Sequence, residues 1–542
     1  MKKFPTWLAL FLLAPSLALQ AEPVTQVQVA QGTLTGSNSP HGSQIAVFRG
    51  IGYAKPPLGE LRWRPPLPPV SWQGRREADK SGAPCWQPIT AAETSLYSRG
   101  LMDVSEDCLY LNVWSGAQSA TEKSPVMVWF HGGGNTSGHG SALIFDGTNL
   151  AKKGAVVVTI NYRLGAMGFF AHPALTAESE HGSSGNYALL DQIASLQWVR
   201  DNIHSFGGDP ERVMIFGQSA GAFDVCLLMA SPLAEDLLHA AIAQSGGCMT
   251  ISTPLVAADD SADAHSAGME IAAALDVAGR GPQAARALRA LTPEEFVAGA
   301  ATTGRSLSTP IVDGWIIPQP PRMQFMAGKH NRVPLLTGAM ADEYRGLGAN
   351  IPEMSKDAYE ARVRQRFSER ADAVLNEYRS ISDTSTQEAW RKISTHAFFA
   401  WQSRTMATLL DALGDDAYVY HFSHPTSVFR LYIPARPDFP LPGGTRGLGA
   451  FHSGDLAYVF NNVGLVGVEW QDWDYTLSDL ISSYFVNFAA SGNPNGPGLP
   501  PWNVYQRSKD NVQEFGNKVH NVRHPLHQKL NLFDEVFSSA SD

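Results

Sequence analysis

The sequence of 542 residues lacks the features that mark several large classes of protein. It contains no low-complexity tract, internal repeat or heptad pattern, which excludes solenoids and coiled coils. Basic residues are not in excess, because 41 Lys and Arg against 51 Asp and Glu give a formal net charge of −10. Nucleic acid binding needs clustered positive charge, so this balance argues against a nucleic acid partner.

Metal-binding patterns and long internal apolar runs are missing as well. The four cysteines are not spaced as zinc ligands and no His-Glu-x-x-His pattern occurs, so the sequence indicates neither a metal nor another cofactor. Beyond the N-terminus, no segment approaches the ~18 consecutive apolar residues of a membrane helix. We therefore expect a soluble mature protein without stable membrane insertion.

The N-terminal segment, residues 1–21, is predicted to be a secretory signal peptide. Two lysines precede an apolar run that ends at Leu19, and Ala21 provides a small residue for cleavage. An uncleaved membrane anchor is the alternative. We expect the mature chain, residues 22–542, to be a single domain that is secreted or periplasmic. The sequence does not indicate its oligomeric state.

Export would place the cysteines in an oxidising compartment. Cys85 and Cys108 lie 23 positions apart in a region predicted to be rich in loops, and they are candidates for a disulfide. Closing such a loop stabilises a fold by about 3 kcal/mol in the chain-entropy model. Cys226 and Cys248 could form a second bond or remain buried thiols.

Residues 217–221 read Gly-Gln-Ser-Ala-Gly, the pattern that surrounds the nucleophile of many serine hydrolases. The apolar segment 213–216 before it predicts a buried strand, and residues 220–229 predict the start of a helix. Strand, sharp turn and helix together form a nucleophile elbow. A Cβ atom at position 217 or 221 would collide with neighbouring backbone, which explains the glycines. Taken alone, the pattern leaves a chance match open.

Apolar segments and helical patterns alternate along the rest of the chain, which predicts an α/β protein with a mostly parallel central sheet and helices on both faces. The segments that predict further strands are residues 126–130, 155–160, 240–243, 333–337 and 417–420.

The segments between and after these strands predict helices and one long loop. Apolar residues recur at helical spacing between Leu189 and Ile203. Residues 256–300 and 352–412 predict helical insertions that cap the sheet. Residues 430–449 carry many prolines and glycines and predict an irregular loop, and residues 479–491 predict a closing helix.

A nucleophilic serine also needs a base, an acid that orients the base, and N–H donors for the oxyanion. Residues 131–134 read His-Gly-Gly-Gly directly after a predicted strand. The donors would therefore come from Gly133, Gly134 and the N–H group of Ala220. A phosphate-binding loop is disfavoured, because no Gly-Lys-Ser/Thr sequence follows.

Spacing alone does not select the acid and the base. His452 follows the predicted long loop, but sixteen histidines compete for this role. Glu343 follows the predicted strand 333–337, and Asp342 beside it is a rival. The chain order of serine, acid and histidine is the order found in α/β-hydrolases.

The chain resembles the type-B carboxylesterase family, the cholinesterase and lipase-like branch of the α/β-hydrolases, over nearly its whole mature length. The motifs that carry the resemblance are residues 49–57, 105–112, 161–163, 190–192, 206–210 and 488–495. The resemblance implies the α/β-hydrolase fold with Ser219 as nucleophile, Glu343 as acid and His452 as base. It also implies the Cys85–Cys108 disulfide. Two buried ion pairs are further implications: Arg62 with Glu106 and Arg163 with Asp191.

Three residues depart from the family pattern. Gln218 and Asp455 stand where glutamate is usual, and Tyr344 stands where glycine is common. None of them removes a catalytic group, so these departures indicate a different acyl or alcohol pocket. Gln218 is accordingly predicted to bind substrate.

The sequence thus predicts a carboxylic-ester hydrolase that acts on small to medium organic esters through an acyl-enzyme intermediate. A non-catalytic binding or adhesion protein, a lipase and an amidase are the alternatives. Gln218 removes a negative charge beside the nucleophile, which suits esters whose acyl part carries carboxylates. Four arginines near the acid and the base in sequence also suit such esters, although solvated loop arginines are the simpler interpretation: Arg345, Arg430, Arg436 and Arg446.

Overall fold

The computed structural model of the protein describes residues 22–88, 103–259, 261–347, 351–428, 444–466 and 469–538. The predicted signal peptide and residues 430–443 of the predicted long loop lie outside these residues. Within them, no helix has the length and apolarity needed to cross a bilayer.

Two sheets are formed by strands β1 to β14. The strands are β1 (Gln26–Val29), β2 (Gly32–Thr35), β3 (Ser37–Ser39), β4 (Gly42–Gly52), β5 (Arg75–Glu77), β6 (Tyr110–Ser115), β7 (Ser124–Phe130), β8 (Val156–Ile160), β9 (Gly208–Gln218), β10 (Ala240–Gln244), β11 (Leu335–Met340), β12 (Ala417–Phe422), β13 (Asn511–Phe515) and β14 (Val519–Arg523). The larger sheet has 11 strands in the order β14-β13-β12-β11-β10-β9-β7-β8-β6-β4-β3, and β1, β2 and β5 form the smaller one.

Parallel pairing runs without interruption from β8 through β7, β9, β10, β11 and β12 to β13. The outer strands β3, β4, β6 and β14 pair antiparallel with their neighbours. The predicted mostly parallel sheet is therefore confirmed. β11 begins at Leu335, two residues later than predicted; Pro334, which precedes it, has no N–H group to donate to a ladder.

Helices fill most of the segments between strands. They are α1 (Thr148–Lys152), α2 (Gly165–Phe169), α3 (Pro173–Thr176), α4 (Tyr187–Asn202), α5 (Ala220–Ala230), α6 (Ala264–Ala274), α7 (Pro282–Ala290), α8 (Pro293–Ala301), α9 (Pro321–Met326), α10 (Glu343–Leu347), α11 (Lys356–Phe367), α12 (Ala371–Glu377), α13 (Arg379–Ser382), α14 (Thr386–Ser394), α15 (Trp401–Leu413), α16 (Leu456–Val459), α17 (Val463–Val466), α18 (Asp472–Ser491) and α19 (His527–Ser538). A π-helical segment, Thr395–Ala400, joins α14 to α15.

The predicted closing helix starts earlier than expected. α18 begins at Asp472, because Gln471 and Asp474 form a capping box at its N-terminus. It ends at Ser491, and Gly492 takes the left-handed conformation typical of a helix C-cap, with φ of 70°. The end of this helix was thus predicted correctly and its start was not.

The sheet separates two hydrophobic cores. Val128 of β7 packs in one core with helices α4 and α5, whereas its neighbour Trp129 packs in the other core with α18. Because successive side chains of a strand point to opposite faces, helices must cover both faces. This arrangement explains why β7 reads as a continuous apolar run in the sequence.

Covalent and ionic links fix the loops around this sheet. Disulfides join Cys85 to Cys108 and Cys226 to Cys248, and the second one ties α5 to the loop that follows β10. The open question about Cys226 is therefore answered in favour of a bond. The two expected ion pairs are present and bidentate, with N–O distances of 2.6 Å for Arg62–Glu106 and of 2.7 and 2.8 Å for Arg163–Asp191.

Loss of Asp191 should destabilise the fold strongly. Its side chain and that of Arg163 are 0% and 4% exposed, so an Asp191→Ala change leaves a buried guanidinium without its partner. We expect the free energy of unfolding in urea to fall by about 3–5 kcal/mol. The exposed pair Arg200–Asp201 is the control, and Asp201→Ala should cost less than about 1 kcal/mol. Equal losses in the two variants would contradict this expectation.

The stability of the protein should also depend on the protonation of His421. Burial lowers the pKa of His421 from its ordinary value of 6.5 to about 4. The unfolded chain therefore binds a proton that the folded protein excludes, and stability is lost as the pH falls through this window. Between pH 7.5 and 4.5, wild-type protein should lose about 2–3 kcal/mol relative to a His421→Gln variant. An equal pH dependence of stability in the wild-type protein and the variant would contradict this expectation.

Candidate active site

The predicted functional loops meet at one edge of the sheet. β7, β9 and β11 are parallel, and their last residues are Phe130, Gln218 and Met340. Each is followed directly by a segment to which the sequence assigned a role. The crevice outside the carboxyl ends of parallel strands is where open α/β sheets bind ligands.

The turn between β9 and α5 is strained and tightly packed. Ser219 has φ of 58° and ψ of −126°, a backbone conformation that residues other than glycine rarely adopt. Its N–H group donates to the Gln244 carbonyl oxygen at 2.9 Å. A Cβ atom on Gly217 would lie 2.5 Å from the Gly221 carbonyl carbon. One on Gly221 would lie 2.0 Å from the Phe130 carbonyl oxygen. The predicted reason for both glycines is confirmed.

Glu343 and His452 are brought together by the fold. The Nδ1 atom of His452 lies 2.5 Å from Oε2 of Glu343, and the backbone N–H of Met340 donates to Oε1 at 2.8 Å. Both side chains are buried. When Nδ1 donates its proton to the carboxylate, the lone pair of the neutral imidazole is on Nε2. The ring then has the tautomer that a general base needs.

The segment that carries His452 is fixed to the segment that carries Glu343. Asp342 donates its backbone N–H to the Ala450 carbonyl at 2.9 Å, and its carboxylate accepts the Ala450 N–H at 3.1 Å. The same carboxylate lies 2.8 Å from Nζ of Lys392. Asp342, the rival acid in the sequence, therefore holds the loop and binds a lysine.

Gln218 lies against the predicted base. Its side chain is fully buried, and Nε2 lies 3.2 Å from Nε2 of His452. Its Oε1 atom accepts a hydrogen bond from Ser453 at 3.3 Å. The structure thus places Gln218 beside His452, and its role in substrate binding stays a prediction.

A second carboxyl group, that of Asp455, lies close to Glu343 and His452. Asp455 is buried, and its Oδ2 atom accepts hydrogen bonds from Gln244 at 3.1 Å and from Tyr420 at 3.2 Å. Burial, and then the charge of Glu343, raise the pKa of Asp455 to about 6. The buried environment of Asp455 therefore favours the neutral, protonated form of its carboxyl group more than solvent would.

The glycine loop after β7 has backbone conformations that favour glycine. Gly133 and Gly134 have φ of 108° and 66°, and a Cβ atom on Gly133 would lie 2.1 Å from the Ser137 carbonyl oxygen. The ring of His131 stacks on Tyr162 with a centroid distance of 4.4 Å. Burial lowers the pKa of His131 to about 3, so this histidine stays neutral and structural.

Sequence reasoning missed a hydrogen-bonded trio beneath this loop. Asp224 of α5 is fully buried, and it accepts hydrogen bonds from the side chains of Asn135 at 3.1 Å and Gln192 at 2.7 Å. Burial raises the pKa of Asp224 to about 7, although the two hydrogen bonds act in the opposite direction. A single carboxylate in an otherwise apolar helix segment, residues 220–230, was the signal that could have identified it.

Two of the four arginines that suggested an anionic substrate lie in the described part of the chain, and both are paired with carboxylates. Arg345 lies 3.0 Å from Glu388, and Arg446 binds Asp474. Arg430 and Arg436 lie outside the described residues. The described arginines therefore give no support to a preference for charged esters.

Comparison with known proteins shows the family directly. Residues 23–533 match the model of the carboxylesterase family. The chain is 32% identical over 517 residues to a fumonisin B1 esterase of Sphingopyxis macrogoltabida, covering 94% of this chain and 90% of that protein. It is also 32% identical over 494 residues to the human cocaine esterase, covering 86% and 83%.

Solved structures agree with the sequence comparison. Carboxylesterase EST55 of Geobacillus stearothermophilus superposes with a TM-score of 0.78 at 29% identity, covering 94% of this chain and 100% of that one. A structure titled PNB esterase gives a TM-score of 0.77 at 27% identity, with 95% and 100% coverage. The mixed sheet with helices on both faces is thus the α/β-hydrolase fold, and the class of protein is a carboxylic-ester hydrolase. The chain belongs to the carboxylesterase family.

Proposed function

We propose that this protein is a secreted or periplasmic esterase that hydrolyses small to medium organic esters through an acyl-enzyme intermediate on Ser219. The observation that carries the proposal is the 2.5 Å contact between His452 Nδ1 and Glu343, beside the strained turn of Ser219. A buried carboxylate that fixes the tautomer of a histidine is the arrangement that activates a nucleophilic serine.

In the proposed reaction, Nε2 of His452 takes the proton of the Ser219 hydroxyl as its oxygen attacks the ester carbonyl carbon. The tetrahedral intermediate collapses, and the alcohol leaves with the proton from His452. Water, deprotonated by the same nitrogen, then attacks the acyl-enzyme and releases the acid. Glu343 keeps the imidazole oriented and stabilises its protonated form.

The oxyanion of each tetrahedral intermediate would be bound by the N–H groups of Gly133, Gly134 and Ala220. Two observations support this assignment. Both glycines have positive φ, a conformation that favours glycine, and the absence of side chains leaves the backbone donors accessible. Ala220 is the first residue of α5, so its N–H group has no partner within the helix and is available to an anion.

Export is supported by two features of the chain. The N-terminal segment, residues 1–21, has the layout of a signal peptide. All four cysteines are paired in the structure, and disulfides of this kind persist in oxidising compartments.

Replacement of Ser219 should abolish ester hydrolysis without unfolding the protein. For Ser219→Ala and Glu343→Gln we expect kcat on p-nitrophenyl esters to fall by a factor on the order of 10⁴ or more. Labelling by a fluorophosphonate probe should disappear in the serine variant. Ser205, which lies 3.5 Å from His204, is the matched control, and Ser205→Ala should keep both activity and labelling. Hydrolysis near the wild-type rate by Ser219→Ala would refute the mechanism.

The substrate class can be tested with esters that differ only in charge. By name, the relatives act on esters as different as fumonisin B1 and cocaine, which supports a tolerant pocket. An exposed arginine contributes about 0–1 kcal/mol to a charge interaction, so kcat/KM for neutral and carboxylate-bearing esters should differ less than tenfold. A larger preference that is lost in the Arg430→Gln/Arg436→Gln double variant would instead favour the carboxylate-bearing substrates.

A further inference from the structure

The oxyanion donors of this site come from two segments that the chain itself does not hold together. Gly133 and Gly134 lie on the loop after β7, whereas Ala220 begins α5, more than 80 residues later in the sequence. A donor that is displaced from the oxyanion position loses most of its effect, because electrostatic stabilisation requires donors that are already in place. Some interaction must therefore fix the loop against the helix.

We propose that Asp224 is a positioning residue that clamps the oxyanion loop to the nucleophile helix. This inference rests on the proposed function, since it concerns the donors assigned there. Asp224 lies one helical turn after Ala220, and its Oδ1 atom accepts the hydrogen bond of Asn135, the residue that follows Gly134. One 3.1 Å hydrogen bond therefore joins the two donor segments.

Asn135 is well placed to transmit this constraint to the loop. Its backbone has φ of 55°, a conformation that asparagine tolerates better than most residues, and its carbonyl oxygen accepts the N–H of Gly165 at 2.6 Å. The Tyr162 hydroxyl lies 3.3 Å from its Oδ1 atom. The side chain and the backbone of Asn135 are thus both fixed by hydrogen bonds. Because a peptide bond joins Gly134 to Asn135, the position of Gly134 is restrained as well.

The carboxylate itself is held from a third element. The side-chain amide of Gln192, on α4, donates to Oδ2 of Asp224 at 2.7 Å. In the part of the chain that the structure describes, Asp224 forms no ion pair, although it is fully buried. A buried carboxylate without a cation destabilises a fold, and an apolar residue would suit this helix position better. Function at the adjacent site explains why a carboxylate is kept there.

The first test is Asp224→Leu, which keeps a side chain of similar size and removes both acceptor oxygens. Neither Asn135 nor Gln192 can then bond to position 224, so the loop loses its hydrogen bond to the helix. We expect kcat to fall by about 10- to 100-fold, since small misplacements of catalytic groups have effects of this size. KM should change little, because the oxyanion forms only after the substrate is bound.

Rescue by an exchange of acid and amide separates positioning from simple loss of stability. In the Gln192→Glu/Asp224→Asn double variant, the new amide can accept from Asn135 and donate to the new carboxylate at position 192. The buried charge is conserved, and kcat should recover most of the loss. Asn135→Gly keeps the left-handed backbone and removes the clamp, so it should match Asp224→Leu, and combining the two should add nothing further.

Asp510→Asn is the matched control for burial. Asp510 is 2% exposed and pairs with Arg404 directly before β13, four strands away from β9 in the sheet, so its loss should lower the melting temperature and leave kcat unchanged. Wild-type kcat in Asp224→Leu, or a folded double variant that regains no activity, would overturn the clamp. If wild-type protein lacked esterase activity, or Ser219→Ala kept it, the proposed function would fail instead.

Discussion

The close approach of helix α5 to the end of β7 is the constraint on which the site depends. The backbone of Gly221 comes so near to Phe130 that a Cβ atom would lie 2.0 Å from the carbonyl oxygen of that residue. Only glycine permits this contact, and the contact sets the glycine loop after β7 beside the strained turn of Ser219. Uninterrupted parallel pairing from β8 to β13 then brings the end of β11, and with it Glu343, to the same edge.

Glu343 and His452 need a second constraint, because Glu343 begins α10 and His452 lies on a loop, both outside the turn of Ser219. The π-helical segment Thr395–Ala400 packs beside both positions. The Thr395 hydroxyl accepts the N–H of Tyr344, next to Glu343, and the Phe399 ring packs on His452 at 4.9 Å. Segments of π-helix are rare and are frequent at functional sites, since the extra residue in the turn redirects side chains. Here the Phe399 ring covers one side of the His452 imidazole.

Local features of the sequence were sufficient to predict the six strands β7 to β12, the elbow and the end of α18, because turn glycines and apolar periodicity act over a few residues. The start of α18 was missed, since its capping box at Gln471 lies beyond the apolar pattern. The contacts of Gln218 and Asp224 could not be predicted. Both depend on partners that are 32 to 235 residues away, and only the folded sheet brings such partners together. The pairing of Cys226 with Cys248 needed the same knowledge.

The buried polar groups around the site reveal how this fold combines stability with catalysis. Asp224, Asp455 and Gln218 are all buried, and each would be replaced by an apolar residue if packing alone decided. A chain of this size buries two extensive cores, one on each face of the sheet, and can offset such costs. In return, these groups form directional hydrogen bonds beside the site, such as that of Gln218 with His452 and that of Asp224 with Asn135, which apolar packing cannot do. Specific geometry at the edge of the sheet is therefore maintained at the expense of stability in the layer directly beneath it.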